Sequence, residues 1–383
     1  MPPTERTPTT ILHVFGRMVR GGAEMRTLEL MRHVDRELFR FEFCVLTGLP
    51  GELDDEVRDL GGVIHYVGLG PLFLMRFPLL VRHRGFNVVH SHVHLFSGLI
   101  LLLAAAVGVP VRLAHFRNTH DGHVTTLRRR VQNRLMKYLL NCSATKIVAV
   151  SEGAMTSTWG PDWRSDSRCE VVYNGFDFSR FDSDEPPAAV RMEFGMPHNC
   201  RLFIHVGRMA PAKNHEKILA IFKEIAQRDK AARLLLVGRG GNAIEAWARQ
   251  LCLQLEMADK VIFAGERSDV SRLLKAADLM IFPSLWEGLP GAVLEACAAG
   301  TPILASDLPG ISEIKRIFPD MVTCLPLTVC DAEWAAAAID ICSKEFTLEK
   351  TKDIYKTIVG SEFTIERSIE KLSKAWKYNI SLE

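Results

Sequence analysis

Two glutamates with seven residues between them, Glu287 and Glu295, stand in the run PSLWEGLPGAVLEACAAGTP at 283–302. The apolar stretch before the run reads as a strand, so Glu287 falls in the loop after it. Glu295 then falls about one turn inside the following helix. The start of that helix, at Leu289, Pro290 and Gly291, offers backbone amides to a phosphate, although Pro290 has no N–H of its own. A carboxylate accepts hydrogen bonds from both hydroxyls of a cis-diol, so Glu295 suits a ribose. Upstream, HVGRMAPAKN at 205–214 also follows a strand and leads into a helix. Gly207 frees the turn, while Arg208 and Lys213 bring cations to a helix start that already favours an anion; the set suits a diphosphate. Gly238, in LVGRGG at 236–241, marks another strand-to-glycine turn, open enough for a flat base to approach the backbone.

The first half of the chain holds three further candidates. Gly21 and Gly22 follow the first strand and open a helix, where amides free of side chains form an anion site; tight-turn geometry accounts for the pair equally well. Their spacing is not the GxGxxG fingerprint of dinucleotide binding. In His90-Ser91-His92-Val93-His94, alternate residues of an extended chain point the same way, so three imidazoles would converge as in a metal-dependent hydrolase. Such a site needs further ligands on later strands, and His198, His205 and His215 come with no matching carboxylates, so no metal is expected. Asp182 and Asp184, a formal DxD, sit in a linker-like stretch and read as solvated. His115 ends a strand at the edge where α/β sheets place functional groups, and His120 and His123 follow in the next loop.

The elements that must position these residues alternate. TILHVF (10–15), FEFCVLT (41–47), VIHYV (63–67), VVH (88–90), VRLAH (111–115) and KIVAV (146–150) read as strands with helical segments between them. After an acid-, proline- and glycine-bearing stretch at 178–197 the pattern restarts with LFIHV (202–206), LLLV (234–237), VIFA (261–264), LMIF (279–282) and PILA (302–305). Beyond these only helical pattern is expected, to about Tyr378. Strand–helix alternation implies parallel sheets covered on both faces. The expectation is an α/β chain of two doubly wound, Rossmann-like domains, 1–185 and 186–383, facing across a ligand-binding cleft.

Composition sets the outer bounds. Of 383 residues, 48% are hydrophobic and 24% charged, which rules out a disordered chain. A net charge of +2 argues against nucleic acid as the partner. The nine cysteines contain no CxxC pair, which excludes a zinc ribbon and points to reduced thiols in the cytoplasm. The N-terminus carries no signal-peptide pattern. The apolar run from Leu95 to Val111 is too short to span a bilayer and reads as a buried helix. Between Leu60 and Val150 eleven basic residues face a single acid, Asp121. They either solvate helix faces or form a basic face for anionic lipid or a pyrophosphate-bearing acceptor.

In order along nearly the whole chain, GGAE (21–24), VVHSHVH (88–94), AVSEG (149–153), VVYNGFD (171–177), HVGR with Lys213, and EGLPGAVLEACAAGTPILASD (287–307) resemble glycosyltransferase family 4, the retaining enzymes of GT-B fold. EGLP in place of the commoner EGFG resembles the exopolysaccharide-synthesis branch. The resemblance implies that Arg208 and Lys213 bind the donor diphosphate, Glu295 the ribose and Glu287 the donor sugar. His115 would lie beside the reacting centre, Gly21 and Gly22 against the phosphates, and Arg267 near the base. It implies a nucleotide-sugar donor, a UDP-sugar by branch, and no metal or other cofactor. It also implies a glycan or lipid-linked acceptor at the inner membrane face, and a final helix near 363–378 crossing back to the first domain. Phe116-Arg117 after His115 departs from the family pattern and suggests an acceptor site of its own character. The rivals are a nucleotide-sugar epimerase or phosphorylase of the same fold, the histidine-based hydrolase, and a catalytically idle binding protein.

Overall fold

A computed structural model describes residues 7–119, 126–182, 187–241, 243–344 and 348–377; His120, His123 and Asp184 lie outside them. The chain forms two compact units. One runs to Phe176 and resumes at Glu362, and the other is Asp177–Ser361.

The first unit comprises β1 (Thr9–Phe15), α1 (Gly22–His33), β2 (Phe39–Val45), α2 (Asp54–Asp59), β3 (Val63–Tyr66), α3 (Phe73–Arg84), β4 (Val88–Ser91), α4 (Ser97–Ala106), β5 (Val111–Phe116), α5 (Leu127–Ser143), β6 (Lys146–Ala149), α6 (Glu152–Thr158) and β7 (Cys169–Val171). The second comprises α7 (Pro187–Glu193), β8 (Leu202–Val206), α8 (His215–Arg228), β9 (Arg233–Val237), α9 (Ala243–Gln254), β10 (Val261–Gly265), α10 (Val270–Ala276), β11 (Leu279–Phe282), α11 (Gly291–Ala299), β12 (Ile303–Ser306), α12 (Pro309–Ile317), β13 (Val322–Leu325), α13 (Asp331–Cys342) and α14 (Leu348–Val359). The last helix, α15 (Ile365–Trp376), returns to the first unit.

Both sheets are parallel. Their strand orders are β3-β2-β1-β4-β5-β6-β7 and β10-β9-β8-β11-β12-β13. Central strands such as β4, β8, β11 and β12 are buried along their whole length, as helices on both faces require. Each order reverses direction once, between β1 and β4 and between β8 and β11. The connections leaving those paired strands run to opposite sides, and a crevice is left at the carboxyl edge.

The expected alternation is present, with three corrections. β7 and β13 were not expected; they are three and four residues long and partly exposed, so neither has the apolar run that marks a buried strand. The stretch read as a linker at 178–197 contains α7, held in the second unit by an ion pair from Arg191 to Asp278 at 3.1 Å. The chain passes between units at 176/177 rather than near 185. The reason is local. Phe176 donates to the Phe363 carbonyl at 2.9 Å, Ile365 donates back to the Phe176 carbonyl at 3.1 Å, and Gly175 lies so close to Ile365 and Ser368 that a Cβ would not fit. Ile365, Leu372, Ala375 and Trp376 then enter the first unit's core.

The apolar run at 95–111 forms α4, whose Gly98 lets the backbone of α5 approach at Met136. Among the described residues no helix is long and apolar enough to cross a membrane.

Candidate functional site

In the second unit, the loops leaving β8 and β11 are stitched together at the order reversal. The Leu285 N–H donates to the Ala212 carbonyl at 2.8 Å, and Asn214 Nδ2 donates to the Pro283 carbonyl at 3.1 Å. Lys213 Nζ donates to Glu287 Oε1 at 2.6 Å, and its ammonium lies 4.7 Å from the Phe282 ring centroid. Asn214 takes a left-handed conformation (φ 54) and caps α8 through its side-chain oxygen; the turn therefore aims Lys213 back across the strand ends instead of along the helix. The glycines serve close approach. A Cβ on Gly238, at φ 143, would collide with the Gly207 carbonyl. The amides of Gly207 and Gly238 donate to the Val237 and Gly265 carbonyls, both at 2.8 Å. The EGLP loop is pinned from below, because a Cβ at Gly310 would meet the Gly288 carbonyl.

Gly288, Leu289 and Pro290 are buried, and Pro290 is the N-cap of α11. The amides of Gly291 and Ala292 have no acceptor within the helix, whereas Val293 donates to the Pro290 carbonyl at 3.1 Å. Glu295 is the fifth residue of α11 and half-buried, so the structure puts it about one turn in, as the spacing predicts. Arg208 is exposed and makes no ion pair among the described residues. Arg267 is held by two carboxylates. Its Nε and Nη2 donate to both oxygens of Asp269 at 2.8 Å, and Nη2 also donates to Glu193 at 2.9 Å. These hydrogen bonds hold the guanidinium pKa above its usual value. It is the centre of an ion-pair network tying α7 to the β10–α10 loop.

In the first unit, Gly21 is the N-cap of α1, and a Cβ on Gly22 would meet nothing within 4 Å. No packing inside the chain therefore demands a glycine at position 22.

Behind this turn lies a buried imidazole cluster. His13 and His90 are register partners on β1 and β4, His92 follows β4, and His115 lies near the end of β5 on the same face. His94 does not join them. It takes φ 51 where the chain turns into a 3-10 turn, and its ring packs on Phe116. The expected triplet is thus replaced by His13, His90 and His92, whose ligand atoms lie within 4.8 Å of one another.

Hydrogen bonding fixes the protons. An indole N–H can only donate, and Trp376 Nε1 donates to His90 Nδ1 at 3.2 Å. His90 Nε2 then carries the proton and faces His115 Nδ1 at 3.1 Å. A guanidinium likewise only donates. Arg117 reaches His92 Nδ1 at 3.4 Å, which leaves His92 Nε2–H to face His13 Nδ1 at 3.1 Å. Arg117 is itself half-buried, with Nη1 on Asn174 Oδ1 at 2.7 Å; desolvation lowers its pKa to about 9. His13 is lowered to about 3, by burial first and Arg117 second. Burial likewise leads the lowering of His90, His92 and His115.

This donor set does not fit a cation. It has no carboxylate, each Nδ1 lone pair already accepts an N–H, and a guanidinium stands against His92. His13, Asn174 and Trp376 were not foreseen as parts of a site; Arg117 was, with Phe116, as the mark of an acceptor site.

The fold and these sites define a class. The sequence profile described as Glycosyl transferases group 1 matches residues 189–340, and the one described as Glycosyltransferase Family 4 matches residues 20–180. The chain is 30% identical over 339 residues to the capsular polysaccharide biosynthesis glycosyltransferase CapH of Staphylococcus aureus, covering 88% of this chain and 91% of that protein. It is 30% identical over 391 residues to the putative glycosyltransferase EpsF of Bacillus subtilis, covering 97% of each. Among solved structures, HepE of Anabaena in complex with UDP and glucose superposes with a TM-score of 0.76 at 18% identity, covering 96% of this chain and 98% of that one. A glycosyltransferase from Rickettsia africae gives 0.79 at 17% identity, covering 98% and 100%. The two Rossmann-like units are those of the GT-B glycosyltransferases. The chain belongs to glycosyltransferase family 4, among the exopolysaccharide-type enzymes.

Buried neutral imidazoles make stability depend on pH. His215, against His205 at a ring separation of 5.3 Å, has its pKa lowered to about 4 by burial and then by Lys213. A histidine whose folded pKa lies below its unfolded value binds fewer protons folded than unfolded between the two. Its stabilisation is therefore intact above about pH 6.5 and lost as pH falls toward 4. Urea unfolding should show stability falling on acidification through this window. His215→Phe should flatten the slope by roughly 1.4 kcal/mol per pH unit, the contribution of one proton; an unchanged slope would contradict the neutral, buried state.

Proposed function

We propose that this glycosyltransferase moves a hexose-type sugar from a nucleotide-sugar, with UDP as the nucleotide, to a glycan or lipid-linked acceptor, with retention at the anomeric carbon. The observation that carries the reading is the Lys213–Glu287 pair at the strand-order reversal of the second unit, beside the start of α11 and Glu295. The departing nucleoside diphosphate gains negative charge, and Lys213, Arg208 and the α11 amides are the groups that would meet it, with no metal needed. Glu287 holds the lysine in place and would contact the donor sugar, while Glu295 would accept from the ribose diol. Gly238 leaves its strand end bare for the base, and Gly21 and Gly22 open the α1 start to the phosphates. His115 donates from Nε2 to a sugar oxygen. HepE, similar in fold, was solved in complex with UDP and glucose, which supports the donor class. The imidazole cluster's poor fit to a cation disfavours the hydrolase alternative.

An anionic membrane surface as the place of work is supported by α3 and α5. On α5, Leu127, Val131, Leu135 and Tyr138 are each more than half exposed and follow one stripe of the helix, flanked by Arg128, Arg130 and Arg134. On α3, Leu74, Met75 and Leu79 are exposed beside Arg76 and Arg82. Apolar side chains ringed by arginines, with no acid on either helix, suit the headgroup boundary of a cytoplasmic leaflet.

Two experiments test these readings. In thermal unfolding, UDP at about 100 times its dissociation constant should add roughly 2.7 kcal/mol of stability, unaffected by EDTA and weakened in Glu295→Ala. Indifference to every nucleotide, with destabilisation by EDTA, would overturn the donor reading. In sedimentation, the protein should pellet with vesicles containing phosphatidylglycerol and not with phosphatidylcholine alone, and Val131→Glu with Leu135→Glu should release it. Equal recovery with both vesicles, or binding unaffected by the pair of substitutions, would remove the membrane surface.

A further inference from the structure

The imidazole at the end of β5 has an unusual surrounding. His115 is 2% exposed, yet its Nε2 has no hydrogen-bond partner among the described residues. Its Nδ1 does have one, His90 Nε2 at 3.1 Å, and His90 Nδ1 in turn receives the Trp376 indole N–H at 3.2 Å. The three groups form a one-way chain, because its first member cannot accept. Were His115 to take the other tautomer, its Nδ1–H would face the His90 Nε2–H, and two donors would oppose each other in a buried site. Were His90 to turn over or shift its proton, the indole N–H would lose its acceptor. Each alternative leaves a buried donor unpaired, which costs about 1–3 kcal/mol.

We propose that Trp376 and His90 are positioning residues for transfer, and that their relay holds His115 as a neutral imidazole with its proton on Nε2. His115 is thereby a hydrogen-bond donor to an oxygen of the sugar substrate and has no Nε2 lone pair with which to act as a general base. The inference deepens the proposed function and rests on its placing His115 against the sugar. It also gives α15 a role beyond packing. Trp376, 286 residues from His90 in sequence, packs edge-on against Phe39 and Phe41 at 5.4 Å, so its indole is held for donation by the core of the first unit. A second chain, Arg117 to His92 to His13, runs beside the first and ends in the same way on an unpartnered Nε2. The two chains therefore share one polarity, each running from a group that can only donate to a buried Nε2–H.

The test reads the tautomer directly. In protein labelled with 15N-histidine, long-range 1H–15N correlation reports which ring nitrogen carries the proton, and His115→Gln assigns the His115 signals. The wild type should show His115 protonated at Nε2 alone. Trp376→Phe and His90→Leu should each give a mixture of tautomers and lower kcat roughly tenfold with KM little changed, the effect of one hydrogen bond made in the transition state. His90→Gln, whose amide can accept from the indole and donate to His115, should keep the Nε2 tautomer and most of the rate. A wild-type His115 protonated at Nδ1, or a pure Nε2 tautomer surviving in both Trp376→Phe and His90→Leu, would overturn the relay. A changed tautomer with unchanged kcat would overturn the positioning role. Failure of the donor reading would appear separately, as absence of nucleotide-dependent transfer by the wild type, while the imidazole signals need no substrate at all.

Discussion

The constraint on which the rest of this structure depends is the reversal of strand order in each parallel sheet. Where neighbouring strands send their connections to opposite faces, no helix covers the carboxyl edge between them, and the side chains there meet one another across a gap. In the second unit the gap falls between β8 and β11, and Lys213 and Glu287 reach across it. In the first it falls between β1 and β4, and His13 and His90 are register partners across it. The chemistry-bearing groups of the two units are therefore placed by the same topological feature, although one set is ionic and the other a buried cluster of neutral rings.

The two environments treat charge differently. At the second reversal a lysine and a carboxylate are joined by a short hydrogen bond, with the Phe282 ring beneath the Lys213 Nζ. At the first reversal, burial suppresses protonation of the imidazoles, and the half-buried Arg117 strengthens that effect. A guanidinium at that depth would be costly alone; its bonds to Asn174 and His92 satisfy part of its fork. The result is an array of hydrogen-bond donors without net charge on the rings. Such an array offers no lone pair to a cation at any of its Nδ1 atoms.

Much of this was legible in the sequence, for physical reasons. Fully buried parallel strands must be continuous apolar runs, so the strands with both faces covered could be read at nearly their full length, whereas β7 and β13, short and half-exposed, gave no such signal. Glu287, Glu295, Lys213 and the glycines were legible because strand–turn–helix chemistry is local and spacing alone places each group at a helix start. His13 was not, because a lone histidine inside an apolar strand acquires its partners only through the register with β4. Arg117 was legible as one of a basic run and, with Phe116, as a mark of an acceptor site, but not as a partner of His92 and Asn174, which only the fold brings to it. His94 was misplaced because the extended geometry assumed for HxHxH ends at Ser91. Trp376 is distant in sequence from everything it touches, and the contact that brings α15 home, at Phe176 and Phe363, involves backbone groups that no side-chain pattern records.

The central claim, that a nucleoside diphosphate is held at the strand-order reversal of the second unit, is tested most directly by hydrogen–deuterium exchange of the wild-type protein with and without UDP. Exchange should slow at the amides following β8, through 207–214, and at the start of α11, through Gly291–Val293, because these groups bond or border the ligand. Saturating UDP that leaves both segments exchanging as before, or that protects only segments elsewhere in the chain, would contradict it.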